Sequence, residues 1–338
     1  PFISPQNFTF IAYFGLAFPV LFVINCVLVI YWIARWKKQF VISLVVILAG
    51  WPMISDHWTI SVNSGKGSAG NKIKIMSYNV RLFDLYNWPH NTETRNKIFD
   101  IVKVASPDIL CFQEFYANEL GTFNTLDTLR EFQKAKNYHV EYMATASGKH
   151  HYGLATFTTY PIVNKGTVDI FTEHMNACIY TDIKIDSDTV RVYNMHLQSV
   201  HLSTIYYTDT NYFETKEVYE QEAGNILKRL FYAFSKRAVQ ADVIAKHISK
   251  CRYPVIVCAD LNDTPSSYTY RTIRGKLKDA FTESGNGFGV TYAGKIPFLR
   301  IDYILCSRSL VARDFSIIPE KLSDHFPVSC TIEMAGGK

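Results

Sequence analysis

Hydrophobic residues are concentrated at the start of the chain. Residues 8–34 form a run of 27 positions without a charged side chain. At about 1.5 Å per residue this run is long enough to cross a hydrocarbon layer of about 30 Å. A second apolar run begins at residue 40 and reaches spanning length only if it continues to about residue 58. The pattern predicts a membrane anchor over residues 1–60, with two transmembrane segments at about 8–34 and 40–58.

A short basic turn separates the two apolar segments. Arg35, Lys37 and Lys38 lie in this turn, and short loops rich in Lys and Arg stay on the cytoplasmic side of membranes. Two crossings then place the rest of the chain outside the cytoplasm. The sequence therefore predicts a multi-pass membrane protein with an extracytoplasmic domain. A re-entrant second segment would instead leave that domain on the cytoplasmic side.

The remainder of the chain has the pattern of one α/β domain. Residues 61–71 are rich in Gly and Ser and predict a linker, and residues 72–338 are long enough for one sizeable core. Helical periodicity is found near residues 98–105 and 223–250. Strand-like runs occupy residues 72–80, 107–113, 139–144, 153–161, 177–185, 189–197, 254–259, 300–306 and 328–333. Many strands with few long helices predict a layered α/β sandwich.

A Tyr- and Phe-rich segment over residues 199–235 stands apart from this pattern. Two interpretations stay open. The segment is either an insertion near the functional site, able to dip into a membrane interface, or a helix that packs its aromatic side chains into the core.

Charge and cysteine usage narrow the function classes. Residues 72–338 carry 31 basic and 29 acidic residues, so the domain lacks the basic surface of a strong nucleic-acid binder. The seven cysteines include no CxxC pair and no spacing typical of a zinc site. The cysteines in apolar runs are expected to be buried free thiols.

Polar residues with catalytic chemistry follow or interrupt the apolar runs. They are Asn79, Gln113-Glu114, Asn194 with His196, Asp260-Leu261-Asn262, Arg300-Ile301-Asp302-Tyr303 and Ser323-Asp324-His325. In order, and together with the run YGLATFTTYPI at residues 152–162, these stretches resemble the signatures of the endonuclease/exonuclease/phosphatase (DNase-I-like) superfamily. The resemblance covers residues 73–333. It implies a four-layer α/β/β/α sandwich, here preceded by transmembrane helices, and a Mg²⁺-dependent phosphoric ester hydrolase.

Oxygen-rich side chains suit a hard cation, and Mg²⁺ is expected, with Mn²⁺ as a substitute. Glu114 is the natural anionic ligand and Asn79 adds a neutral oxygen. Asp324 either joins them as a ligand or supports them from outside the coordination sphere. The cation would polarise the phosphoryl oxygen and stabilise the charge that develops there.

The catalytic assignments follow from the resemblance and from the residue types. His325 and Asp302 form an imidazole–carboxylate pair, in which the carboxylate fixes the tautomer and raises the basicity of the ring. The resemblance implies that His325 contacts the phosphate or activates water. Asp260 orients or deprotonates that water, and Asn262 donates to the phosphoryl oxygen. His196 is assigned to protonate the leaving oxygen, and the choice of Asp260 or His325 as general base stays open.

Three departures from the superfamily pattern limit the choice of substrate. Ala259 replaces the usual Gly before the catalytic Asp, and Tyr160 stands where DNase-I-type enzymes have a Glu. Arg81 occupies the position at which apurinic endonucleases carry an acidic metal ligand. The last departure disfavours DNA repair.

The first functional hypothesis is a membrane-anchored phosphodiesterase or phosphatase that acts on a lipid headgroup or a soluble phosphoester. The second is a membrane-anchored nuclease, which the near-neutral charge disfavours. The third is a non-catalytic partner in a membrane complex, disfavoured because a binding module has no physical need for the complete polar set. Protein partners and oligomeric state stay unassigned.

Overall fold

The computed structural model describes most of the chain. Its described residues are 1–61, 71–85, 87, 91–118, 124–132, 137–146, 149–170, 176–200, 216–294 and 296–334. The predicted linker at 61–71 lies almost entirely outside them, as do residues 201–215 of the aromatic segment.

The N-terminal apolar runs form two helices that follow a short helical turn. The turn α1 is Pro5–Phe8, and the helices are α2, Phe10–Ala34, and α3, Phe40–Ile54. Among the described residues, α2 is the one helix long and apolar enough to span a membrane, with a mean hydropathy of 2.5 and none of its apolar window buried.

The second apolar segment ends earlier than the sequence pattern predicted. Helix α3 stops at Ile54, after 15 residues, and does not continue to residue 58. Trp58–Ile60 forms strand β1, which pairs with a strand of the α/β domain. Helix α3 thus covers residues 40–54 of the second predicted segment, and Trp58 at its end has a backbone partner that sequence periodicity cannot reveal.

The rest of the chain folds into strands flanked by helices. The other helices are α4 Asn91–Ala105, α5 Thr125–Phe132, α6 Lys216–Ser249, α7 Tyr268–Arg274 and α8 Ala280–Ser284. The other strands are β2 Lys72–Asn79, β3 Ile109–Asn118, β4 Asn137–Ala146, β5 His150–Thr158, β6 Ile162–Thr167, β7 Ala177–Ile185, β8 Asp188–His196, β9 Val255–Asp260, β10 Lys278–Asp279, β11 Asn286–Phe288, β12 Asp302–Cys306, β13 Leu310–Ile317 and β14 Val328–Met334. Each of the nine predicted strand-like runs overlaps one of these strands.

Two six-stranded sheets pack face to face. Their strand orders are β13-β14-β2-β3-β5-β4 and β10-β12-β9-β8-β7-β6. Each sheet has one parallel pair near its centre, β2–β3 in the first and β8–β9 in the second, and its other pairs are antiparallel. The four central strands therefore present their C-terminal ends as two adjacent pairs.

Alternation along the strands builds three apolar layers. In β2, Ile73 and Ile75 face the second sheet, whereas Met76 and Tyr78 face the outer layer that contains α4. The outer face of the second sheet packs against Ala241 of α6 and its neighbours. The arrangement is the four-layer α/β/β/α sandwich that the resemblance implied, and the fold prediction is confirmed.

The root of the helical hairpin packs against the α/β domain through a polar joint. A Cβ on Gly15 would lie 2.9 Å from the carbonyl oxygen of Ser266, so the close approach of α2 requires glycine. His57 Nε2 lies 2.9 Å from Ser266 Oγ, and the His57 ring stacks on Phe18 with centroids 5.8 Å apart.

A buried ion network completes this joint. Arg274 Nη1 donates to Asp56 Oδ1 at 3.1 Å, and Arg300 Nη2 donates to the Asp56 carbonyl at 2.8 Å. The same Arg300 nitrogen donates to Asp279 Oδ2 at 2.8 Å. Burial raises the pKa of the Asp56 carboxyl, against the opposing effect of Arg274. Removing either arginine would therefore leave a buried carboxylate without its counter-charge.

The close packing of β5 on β4 gives a first prediction. A Cβ on Gly153 would lie 1.9 Å from the backbone oxygen of Glu141, whereas a Cβ on Gly166 would meet only the tip of the Tyr180 side chain. Gly153→Ala is expected to destabilise the protein by about 1–3 kcal/mol, because a backbone has to move. Gly166→Ala is the matched control and should cost less. Thermal unfolding in detergent measures both, and an equal loss for the two variants would contradict the packing argument.

The joint also predicts an acid-sensitive stability. Burial lowers the pKa of His57 to about 4, with a further contribution from Arg300. The unfolded chain binds a proton at His57 near pH 6.5 and the folded chain does not. Stability should therefore fall between about pH 6.5 and about 4, by on the order of 3 kcal/mol from this group.

His57→Gln stays neutral and should flatten this part of the stability profile. Burial also lowers the pKa of His139 to about 4, so some acid dependence should remain in the variant. Unfolding midpoints measured from pH 7 to pH 4 provide the test. An unchanged slope in His57→Gln would show that the joint does not contribute.

Candidate active site between the two sheets

The central strands of both sheets deliver polar side chains to the same edge of the sandwich. Asn79 is the last residue of β2, and His196 and Asp260 are the last residues of the parallel neighbours β8 and β9. Asp302 opens β12 directly opposite Asp260 in the antiparallel register. The same alternation that turns Ile75 and Cys258 into the inner core turns these polar side chains into the gap between the sheets.

Asp260 lies at the centre of this edge and is fully buried. Its Oδ2 accepts a hydrogen bond from Asn79 Nδ2 at 2.8 Å, and its Oδ1 accepts one from the backbone N–H of Asn262 at 2.9 Å. His196 Nε2 and His325 Nε2 each lie 3.6 Å from Oδ2. Burial raises the pKa of Asp260 and the Asp302 charge adds to this effect, although the two histidines oppose it.

His325 and Asp302 form the predicted imidazole–carboxylate pair. His325 Nδ1 lies 3.0 and 3.1 Å from the two Asp302 oxygens. Burial by itself lowers the pKa of His325, but the carboxylates of Asp302 and Asp260 outweigh burial and leave the pKa well above its usual range. The ring is therefore held as a cation whose Nε2 faces Asp260.

Glu114 is turned into the cleft by an irregularity in β3. The register with β5 shifts between Phe112 and Phe115, and Glu114 has a φ of +47°. Such a bulge re-aims the side chain it contains. Glu114 Oε1 accepts from Asn79 Nδ2 at 3.3 Å and lies 3.5 Å from His196 Nε2, with 24% of the side chain exposed.

The chain that leaves β2 is strained. Arg81, Leu82, Phe83 and Asp84 have φ values of 44°, 54°, 57° and 57°, in a left-handed region that costs non-glycine residues about 1–2 kcal/mol each. Phe83 is buried among aromatic rings at 5.7–5.8 Å, which offsets part of this cost. The turn places the Arg81 N–H 3.0 Å from Asn79 Oδ1 and so orients the amide of Asn79 toward the carboxylates.

Two predicted site residues have different contacts from the rest. Asn262 Nδ2 donates to the Leu197 carbonyl at 3.1 Å and ties together the loops after β8 and β9. Asp324 Oδ1 lies 3.3 Å from the Ser323 hydroxyl. The pKa of Tyr78 is raised by burial and further by the charges of Asp324 and Asp302. The carboxylate of Asp324 therefore acts on the same part of the site as the His325–Asp302 pair.

The polar edge fits a divalent cation. Among the described residues, one group of three has ligand atoms all within 4.8 Å of one another: Asp260, Asp302 and His325. Glu114 offers a second oxygen-donor position beside it, where the amide nitrogen of Asn79 faces the Glu114 carboxylate. Both ring nitrogens of His196 are buried without a hydrogen-bond partner among the described residues. Crowded carboxylates and an imidazole without a hydrogen bond are the groups that an added cation and an anionic substrate would satisfy.

Sequence reasoning missed two residues that position the His325–Asp302 pair. Thr291 is fully buried, and its Oγ1 accepts from the backbone N–H groups of Ile301 and Asp302, each at 3.0 Å. Tyr292 packs edge-on against His325 with centroids 5.7 Å apart. Both lie in an irregular segment after β11 with no motif or periodicity, so no local signal marked them.

Comparison with known proteins agrees with this geometry. Residues 76–325 match the family model described as the endonuclease/exonuclease/phosphatase family, and the chain belongs to that family. Members of the family are phosphoesterases and nucleases, and are typically dependent on divalent metals. Residues 1–57 match a domain of unknown function (DUF8431). No curated protein matches the chain.

Solved structures share the fold at low sequence identity. A mannosyl-6-phosphatase of Bacteroides thetaiotaomicron is 17% identical, with a TM-score of 0.52 over 77% of this chain and 99% of that one. The human Nocturnin catalytic domain is 17% identical, with a TM-score of 0.53 over 79% and 96%. Truncated TDP2 of Caenorhabditis elegans is 17% identical, with a TM-score of 0.52 over 78% and 98%.

The donor sets lead to a prediction about metal affinity. Glu114→Gln removes one negative charge without changing the shape of the side chain, and should weaken Mn²⁺ binding by about tenfold or more. Electron paramagnetic resonance of the full chain in detergent measures free and bound Mn²⁺. Glu141→Gln is the control, because the Glu141 side chain lies on β4 outside the cleft and is 41% exposed.

Asp302→Asn, measured in the same assay, shows whether the cation binds at Glu114 or at the Asp260–Asp302–His325 group. A larger loss of affinity in Asp302→Asn than in Glu114→Gln would move the cation to the Asp260–Asp302–His325 group. Unchanged affinity in Glu114→Gln would contradict its assignment as a ligand.

Proposed function

We propose that the protein hydrolyses a phosphoester with the help of a divalent cation, Mg²⁺ in the first instance, while its N-terminal helices hold it at a membrane. The convergence of six buried or half-buried polar side chains at one edge of the sandwich carries this proposal. They are Asn79, Glu114, His196, Asp260, Asp302 and His325. A carboxylate-rich cleft that also holds a cationic imidazole matches an anionic substrate and a metal.

The cation, when bound, neutralises charge on the phosphoryl oxygens. We assign Glu114, Asn79 and Asp324 to hold it. Asp260 accepts the proton of the attacking water, because its buried carboxylate has a raised pKa and its Oδ2 is oriented by Asn79. The new P–O bond forms to this water as the bond to the leaving oxygen breaks.

The two histidines act on the phosphoryl oxygen and on the leaving oxygen. The carboxylates keep His325 cationic, so its Nε2 donates to a phosphoryl oxygen and it does not act as the base. His196, whose ring nitrogens make no hydrogen bond among the described residues, supplies a proton to the leaving oxygen. Asn262 holds the loop after β9 through its contact with Leu197, and donation to the phosphoryl oxygen requires its amide to leave that contact.

We propose that residues 1–60 are the anchor, residues 61–71 the linker and residues 72–338 the catalytic domain. The length and hydropathy of α2 support the anchor. Helix α3 returns toward the domain, so the basic turn at Arg35–Lys38 lies at the end of the hairpin opposite to the joint. With two crossings, the positive-inside rule places the basic turn in the cytoplasm and the catalytic domain outside it.

The position of the joint favours a substrate at the membrane surface. Ser266, which contacts Gly15 and His57, follows Asn262 by four residues, and Arg300 precedes Asp302 by two. At no more than about 3.8 Å per residue, the backbones of Asn262 and Asp302 lie within about 15 Å of the joint. A lipid headgroup or a soluble phosphoester close to the bilayer is therefore the favoured substrate class, ahead of nucleic acid.

A substrate panel tests the reaction. The full chain in phospholipid nanodiscs with Mg²⁺ should hydrolyse at least one of four substrates: headgroup phosphoesters of phosphatidylcholine or sphingomyelin, inositol phosphates, mannose 6-phosphate and plasmid DNA. Mannose 6-phosphate is included because a structurally similar protein is a mannosyl-6-phosphatase. His325→Ala should lower kcat by about 10²–10⁴, and a chelator should abolish turnover.

Glu141→Gln, outside the cleft, should keep the wild-type rate. Cleavage of plasmid alone would favour the nuclease alternative. Absence of turnover on every substrate, or turnover that survives both His325→Ala and the chelator, would contradict the proposal and favour a non-catalytic binding role.

A further inference from the structure

Large apolar side chains are exposed on the catalytic domain beside the root of the helical hairpin. Strand β1 pairs with β11, and Trp58 lies directly opposite Phe288 in this two-stranded ribbon. Trp58, Ile60 and Phe288 share one face because side chains alternate along each strand. They are 41%, 65% and 66% exposed. A ribbon with three large exposed apolar side chains on one face is typical of a binding surface.

A second exposed apolar patch lies on α6, beside α2. Leu227 and Phe231 are one helical turn apart and are 54% and 53% exposed. The neighbouring backbone is fixed to the hairpin, since Tyr13 Oη donates to the Leu227 carbonyl at 2.8 Å. We refer to Trp58, Ile60, Phe288, Leu227 and Phe231 as the apolar collar.

Contacts between the N-terminal segment and α6 give the direction of that helix. Gln6 lies beside Asp242, Thr9 beside Ser235 and Tyr13 beside Leu227. As the chain advances toward α2, its partners on α6 therefore move toward the N-terminal end of that helix. The N-terminal end of α6 therefore lies in the direction in which α2 runs. The Leu227–Phe231 patch is near this end, on the side toward which the apolar hairpin extends.

The lengths of α2 and α3 beyond the joint indicate how close the α/β domain lies to the bilayer. Phe18 of α2 stacks on His57 at the joint. From Phe18 to Ala34 the helix is about 24 Å long, and α3 is about 21 Å long. Both are shorter than a hydrocarbon layer of about 30 Å. The shortfall in helix length is made up if the collar itself enters the interface between headgroups and hydrocarbon.

We propose that the apolar collar rests in the interface of the lipid bilayer, so that the catalytic domain lies on the membrane surface. This inference rests on the membrane attachment in the proposed function, but not on the reaction. Lipid is the occupant because the collar adjoins α2, whose apolar window is unburied. Tyr13 of α2 is hydrogen-bonded to Leu227, and Phe18 of α2 stacks on His57, the residue before Trp58. Trp and Phe also suit the interface, where an apolar ring packs between lipid chains. The collar and the joint together hold the active-site edge close to the headgroups.

Lipid-depth quenching tests the collar on the full chain in phosphatidylcholine nanodiscs. Cys26 and Cys251, which are half-buried, are replaced by Ser, and the five remaining cysteines are buried. An NBD fluorophore is then attached to Phe288→Cys or Phe231→Cys. Lipids with a doxyl group at carbon 5 should quench about half of the emission at both positions, and aqueous iodide should quench little.

Two control positions make every outcome decisive. Val27→Cys on α2 should be quenched by doxyl lipid, whereas Val104→Cys, 86% exposed on α4, should be quenched only by iodide. Collar labels that behave like Val104 would overturn the inference. Collar labels shielded from both quenchers would also overturn it, because a protein partner or a second copy would then cover them. Loss of doxyl quenching at Val27 as well would overturn the membrane attachment itself, whatever the activity on soluble substrates.

Discussion

The structure depends on the burial of several carboxylates at one place. Asp260 is fully buried and faces Asp302 across the β9–β12 pair, with Glu114 close by. Like charges at such distances repel, and burial disfavours each of them. The chain offsets this cost with the amide of Asn79 and the imidazolium of His325. A divalent cation would offset more of this electrostatic cost. The clustered carboxylates that destabilise the metal-free protein therefore also prepare it to bind a metal and a phosphoester.

The fold provides this arrangement through two parallel strand pairs. Because β2–β3 and β8–β9 end at one edge, four strands deliver side chains to a common gap without a long loop. The same edge carries the joint, in which Arg300 contacts Asp56 and lies two residues before Asp302. The proposed anchor and the proposed active site are thus parts of one packed unit. A soluble fragment that lacks the anchor would expose the joint's buried charges, and the full chain is the appropriate material for enzymology.

Sequence reasoning predicted the elements whose signals are local. Strand-like runs indicated nine of the strands, and the motif order identified the family and named the eight proposed site residues. Six of these residues meet in one cleft, while Asn262 and Asp324 have contacts of their own. Non-local features escaped prediction. The end of α3 at Ile54, the pairing of Trp58 with Phe288 and the support of Asp302 by Thr291 all depend on partners hundreds or tens of residues away.

The central claim is that the buried carboxylate cluster holds one divalent cation for phosphoester hydrolysis. Anomalous X-ray scattering from crystals of the full chain soaked in Mn²⁺ tests it most directly. The account predicts one strong anomalous peak in the cleft, in contact with Glu114 and within reach of Asp260, and loss of that peak in Glu114→Gln crystals. A cleft without anomalous density at saturating Mn²⁺ would contradict the account.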